Sequence, residues 1–136
     1  MQSSFGSETK VVDHLISTGL KVRIETPLYQ ECRDFYTEYL GMKVLDSWDE
    51  KTDKGVILGL GSSSQDEAFL ELGYTETQRP YEGISLQFRV RDVDAIAESL
   101  RGRLEFSGPV ERPWGSRYLY LGDPAGIKII LFEGEL

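Results

Sequence analysis

From position 20 the chain alternates apolar and polar residues: Leu20, Val22 and Ile24 in one phase, Lys21, Arg23 and Glu25 in the other. This period of two predicts a half-buried strand over 20–26. The period then lengthens. Pro27 stands where a first helical turn tolerates proline, and Leu28, Cys32, Phe35, Tyr36, Tyr39 and Leu40 recur at helical spacing until Gly41 stops the pattern. Three strand-like runs follow at 43–48, 55–60 and 68–73, the first two separated by a polar turn, 49–54.

After a polar, proline-bearing connector at 75–82, the same order repeats. Ile84, Leu86, Phe88 and Val90 alternate with Ser85, Gln87 and Arg89. Asp92 is placed to cap a helix whose stripe is Val93, Ile96, Ala97 and Leu100, closed by Gly102. Strands are expected at 104–106, 117–121 and 127–132, the last two joined by Gly122-Asp123-Pro124-Ala125-Gly126. Ahead of everything, Val11, Val12, Leu15 and Ile16 mark one face of a short helix over 8–17. The expected fold class is α+β in one domain, 1–136. Its parts are a leading helical segment (1–19), a βαβββ module (20–74), a linker (75–82) and a second module (83–133).

Composition narrows the function. A chain of 136 residues, 40% hydrophobic and 28% charged, has room for one core, and no apolar stretch is long enough for a membrane span. A net charge of −8 opposes nucleic-acid binding, which needs a basic surface. The start, MQSSFGSETK, lacks the succession of a secretory signal, so a cytoplasmic location is expected. The single cysteine, Cys32, permits no internal disulfide and no thiolate metal cage, and its place on the helix stripe reads as a buried thiol. Ser85 has no histidine base at hand, because the only histidine, His14, lies outside both modules. The run Gly59-Leu60-Gly61-Ser62-Ser63-Ser64 follows a strand without opening a helix, so it reads as a loop and not as a phosphate cradle.

Two stretches go beyond pattern. Phe35-Tyr36-Thr37-Glu38-Tyr39-Leu40-Gly41-Met42 resembles the aromatic helix end and Leu-Gly turn of the vicinal oxygen chelate superfamily, which groups glyoxalases, bleomycin-resistance proteins and extradiol dioxygenases. Pro113-Trp114-Gly115 with Asp123-Pro124-Ala125-Gly126 resembles the closing signature of bleomycin-resistance-type members. The resemblance covers about 20–133. It implies two βαβββ modules in a U-shaped mixed sheet around a cleft, and usually a homodimer. In metal-binding members, four ligand positions lie on the first and last strands of the modules; carried over, they fall on Lys21, Glu71, Ser85 and Ile130. Lys21 brings a cation and Ile130 no donor atom, so no metal and no cofactor is expected. A slip of one residue brings in only Val22, Ile129 and Leu131.

The alternation also assigns faces. Val22, Ile24, Leu70, Leu72, Leu86, Phe88, Leu119, Leu121, Ile129 and Leu131 point to the helix-covered core. The opposite phase should face the cleft: Lys21, Arg23 and Glu25; Phe69 and Glu71; Ser85, Gln87 and Arg89; Tyr118 and Tyr120; Lys128, Ile130 and Phe132. Trp114 either closes over a flat ligand or packs its own loop; Trp48 carries the same two readings, with packing favoured. All of these but Ile130 and Trp48 form the expected ligand-binding set. Aromatic walls with a few polar groups describe a small-molecule pocket. Lys21, Arg23, Arg89 and Lys128 outnumber Glu25 and Glu71, which favours an anionic or polar aromatic ligand at least as much as cationic bleomycin. The function expected is metal-independent ligand sequestration by a dimer. The alternative is a glyoxalase- or dioxygenase-like enzyme, a lyase, isomerase or oxygenase, with an atypical metal site or with Glu71 as general base.

Overall fold

The computed structural model describes residues 19–61 and 68–136; the leading helix expected over 8–17 lies outside them. Module one contains β1 (Leu20–Glu25), α1 (Tyr29–Asp34) with a π-helical continuation (Phe35–Tyr39), β2 (Lys43–Glu50), β3 (Asp53–Gly59) and β4 (Ala68–Gly73). Module two repeats it with β5 (Ser85–Arg89), α2 (Val93–Leu100), β6 (Ser107–Glu111), β7 (Arg117–Gly122) and β8 (Lys128–Glu133). Each module forms its own four-stranded mixed sheet, ordered β1-β4-β3-β2 and β5-β8-β7-β6. The first strand is parallel to the last, Arg23 opposite Glu71 and Arg89 opposite Phe132, and the other pairs are antiparallel. The α+β class and the duplicated module are thus as the periodicities predict.

The core follows the phase read from the strands. Ile24, Leu70, Leu72, Leu119, Leu121, Ile129 and Leu131 are buried with the helix residues Cys32, Phe35, Tyr36, Val93, Ala97 and Leu100 in one cluster that spans both modules. Val22, Leu86 and Phe88 are half-buried. Asp92 caps α2 as expected, its carboxylate accepting the Ala95 N–H at 3.0 Å. Gly41 and Gly102 end their helices with φ of 76° and 81°, a region costly for a residue with a Cβ.

Local chemistry moves some boundaries. The first helix is not α-helical to its end: the Thr37 hydroxyl donates to the Arg33 carbonyl at 2.8 Å, competing for a helical acceptor, and the last turn widens. No strand forms at 104–106, because the N–H groups of Arg103 and Leu104 donate to the Leu100 carbonyl and close α2. Leu104 and Phe106 pack against the core, and β6 begins at Ser107. The expected turn 49–54 shortens, since pairing continues out to Glu50 and Asp53. Within the linker, Tyr81 holds the outer edge of β1: its hydroxyl donates to the Glu25 carbonyl at 2.6 Å and accepts the Glu25 N–H at 3.2 Å. Among the described residues no helix is long and apolar enough to cross a membrane.

Candidate ligand-binding site

On the open face of the first sheet, Glu71 sits between two cations. Lys21 Nζ lies 2.9 Å from its Oε1, and the Arg23 guanidinium donates to its Oε2. Parallel pairing of β1 with β4 produces this, because Lys21 and Arg23 share a face with Glu71 and flank it. Glu71 is 9% exposed, whereas the Lys21 side chain is 51% exposed. The Lys21 hydrogen bond, helped by the Arg23 charge and opposed by burial, holds the Glu71 carboxyl below its ordinary value. Glu25 takes the Arg23 Nε at 3.1 Å, so two cations and two carboxylates meet in this cluster.

The second sheet carries the aromatic side chains. Tyr118 centres the group, with ring centroids 5.8 Å from Trp114, 6.0 Å from Tyr120 and 6.0 Å from Phe132. The Arg112 guanidinium lies 5.0 Å from the Trp114 ring and 5.9 Å from the Tyr118 ring, and Arg89 lies 5.9 Å from the Phe132 ring. Ile130 and Phe132 are 6% and 5% exposed, so they form the floor of this face, while Trp114 is 55% exposed. Lys128 is exposed beside Ser85, its strand partner. The positive excess inferred from the sequence therefore lies on module two, with Arg89, Arg112 and Lys128.

Phe69, Ser85, Gln87 and Arg89 also border a cavity of about 590 Å³ walled by β1 and β5. Its other walls are core-phase residues, among them Val22, Leu86 and Phe88, together with Tyr39, Leu40 and Ile96. That explains why those three strand residues are only half-buried.

Two residues outside the expected set belong to these faces. Arg112 follows the strand β6, and only its ring neighbours reveal it. Trp48 pairs with Gly55 in the β2–β3 register, on the Glu71 side of the sheet. Gly55 within β3 and Gly73 at the end of β4 are the sequence signal of a close approach, and the register shows which groups approach them.

The four positions that the resemblance marks for metal ligands, Lys21, Glu71, Ser85 and Ile130, do not suit a metal here. Ile130 is buried and has no donor, and both Glu71 oxygens are engaged by cations. A different acidic group, Asp92, Asp94 and Glu133, gathers at the start of α2. Each member has a partner: Asp92 bonds the Ala95 N–H, Glu133 the Val93 N–H at 2.9 Å, and Asp94 pairs with Arg117 at 2.7 Å.

Comparison with known structures fits this architecture. The chain is similar to TnmS3, an antibiotic binding protein from Streptomyces sp. CB03234, at 24% identity and a TM-score of 0.72, over 89% of this chain and 98% of that one. It is similar to a glyoxalase family protein from Bacillus anthracis at 22% identity and a TM-score of 0.72, over 91% and 100%. It is also similar to the trypanothione-dependent glyoxalase I of Leishmania major, at 27% identity and a TM-score of 0.63, over 84% of each chain. No curated protein matches it by sequence. The profile of the Glyoxalase/Bleomycin resistance protein/Dioxygenase superfamily matches residues 12–131, and the chain belongs to that superfamily.

Proposed function

We propose that this protein binds a small aromatic ligand bearing an anionic or polar group and acts by sequestering it, without a metal. One observation carries the reading: four aromatic side chains, Trp114, Tyr118, Tyr120 and Phe132, are contiguous on an open sheet face and flanked by Arg89 and Arg112. A group whose purpose was packing would not leave an indole 55% exposed with a guanidinium against it. The antibiotic-binding relative agrees with this reading. In it the protein is a homodimer and works in the cytoplasm, a reducing compartment in keeping with the free, buried Cys32.

The enzymatic alternative with Glu71 as general base is less favoured. A base working near neutral pH needs a raised carboxyl pKa, and Lys21 and Arg23 lower it. The test is a thermal-shift panel that includes bleomycin and aromatic acids such as 2-naphthoate. A true ligand at 100 times its Kd stabilises the fold by about 2.7 kcal/mol, and Trp114→Ala should remove the shift. A panel without any shift, or turnover of a glyoxalase substrate, would overturn the proposal.

A further inference from the structure

The first sheet has a flat surface that its expected ligand residues explain only in part. Across its end, Glu25, Gly73, Gly55 and Trp48 form one row of strand partners on the open face. The two central positions lack side chains, and planar groups lie over them. A Cβ on Gly55 would stand 2.5 Å from a ring carbon of Trp48, and one on Gly73 would stand 2.6 Å from an Arg23 guanidinium nitrogen. The indole and the guanidinium thus rest on the sheet backbone.

Both groups are fixed in place. Trp48 Nε1–H donates to Asp53 at 2.9 Å. The Arg23 edge is held by Glu25 and Glu71, which leaves its planar face for contact. Each is only partly buried: Trp48 is half-buried and the Arg23 side chain is 40% exposed.

We infer that Trp48 and Arg23 form a stacking platform for an electron-rich planar ring, a second ligand-contacting surface besides the Trp114 group. An indole offers a π-face, and a guanidinium face attracts the negative face of an electron-rich ring. Because the carboxylates of Glu25 and Glu71 offset Lys21 and Arg23, and Asp53 adds a third carboxylate beside Trp48, the platform offers an anion no net positive charge and selects for aromaticity. The inference rests on the small-molecule reading above, and its test separates the two.

The chain has two tryptophans, hence two indole N–H signals in a 15N–1H spectrum, which Trp48→Phe and Trp114→Phe assign. The probes are 2-naphthol and its saturated analogue decahydro-2-naphthol. The expected result is that 2-naphthol shifts the Trp48 signal with saturation, while the saturated analogue leaves it in place. Gly73→Ala lifts the flexible Arg23 head without meeting backbone, and should weaken the 2-naphthol affinity read at Trp48 by about 3- to 10-fold. Gly55→Ala is unsuitable, since its Cβ would also meet the Leu72 carbonyl at 2.8 Å. Shifts at Trp114 alone would overturn the platform and leave the small-molecule reading standing. Equal shifts with the saturated analogue would also overturn it, as would Gly73→Ala binding unchanged. Movement of neither indole by any probe or panel compound would count against both readings.

Discussion

Tyr36 and Asp123, 87 positions apart, tie the two modules together: the phenol donates to Asp123 Oδ2 at 2.6 Å, and both residues are buried. The other oxygen of Asp123 accepts the N–H groups of Ala125 and Ile127, each at 2.9 Å. The aspartate of the Asp123-Pro124-Ala125-Gly126 turn therefore shapes its own hairpin and clasps the helix of module one. Burial, then the Asp123 charge, pushes the Tyr36 hydroxyl far above its ordinary value, so it stays a donor at every working pH.

Removing that hydroxyl strands a buried carboxylate oxygen. Tyr36→Phe should cost about 1.5–3 kcal/mol, the range for a hydrogen bond to a charged group. Urea unfolding measures it; a midpoint unchanged from wild type would mean that the modules are held by apolar packing alone.

Glu71 gives a pH-dependent expectation. Its folded pKa is held below the ordinary 4.5, chiefly by the Lys21 hydrogen bond. Between the folded and unfolded pKa values the native state binds fewer protons than the unfolded one, so stability rises with pH there. The contribution is fully present above about pH 4.5 and is lost as pH falls through the folded value. Glu71→Gln should thus be less stable than wild type near neutrality, and the gap should close in acid. Thermal unfolding from neutrality down to about pH 3 tests this, and parallel curves would contradict it. Lys21→Ala should loosen the same face and weaken ligand binding.

Cys32 should be chemically silent in the folded protein. Burial, and after it the Asp123 charge, pushes its thiol up to about 12, so the reactive thiolate is scarce at neutral pH. An aromatic disulfide reagent should leave the native chain unmodified on the timescale that titrates the guanidinium-unfolded chain completely. Rapid native labelling would show that the helix opens far more often than its packing implies.

Much of this was legible in the residues. Alternation at Leu20–Glu25 assigned the faces of β1, and the Asp92 cap with its stripe announced α2. The alternation puts Lys21, Arg23 and Glu71 in one phase, and they meet because a parallel pair keeps register partners on one face. What local pattern could not convey was competition among hydrogen bonds. Leu104 and Phe106 alternate as a strand would, yet the Leu100 carbonyl draws their segment into a helix closure. The surroundings of Trp48 and Arg112 are set in another way: their partners come from other strands, and only the register brings Gly55 beneath one and Tyr118 beside the other.

Arg112 offers the most direct test of ligand charge. Its guanidinium touches both Trp114 and Tyr118, and its Nε is buried without an acceptor, so it can present its outer donors to an anion beside the rings. Arg112→Gln should lower the unfolding midpoint only slightly, since Arg112 forms no ion pair among the described residues and gives up only partly exposed cation–π contacts. For 2-naphthoate the affinity should fall by about tenfold, in line with loss of a charge-assisted hydrogen bond. For 2-naphthol, which presents similar rings without a carboxylate, it should fall by no more than about threefold, the part due to cation–π contact. Calorimetric titration of both ligands against both proteins yields the difference. Equal losses would assign Arg112 to shaping the aromatic surface, whereas a selective loss for the acid would assign it to reading the carboxylate.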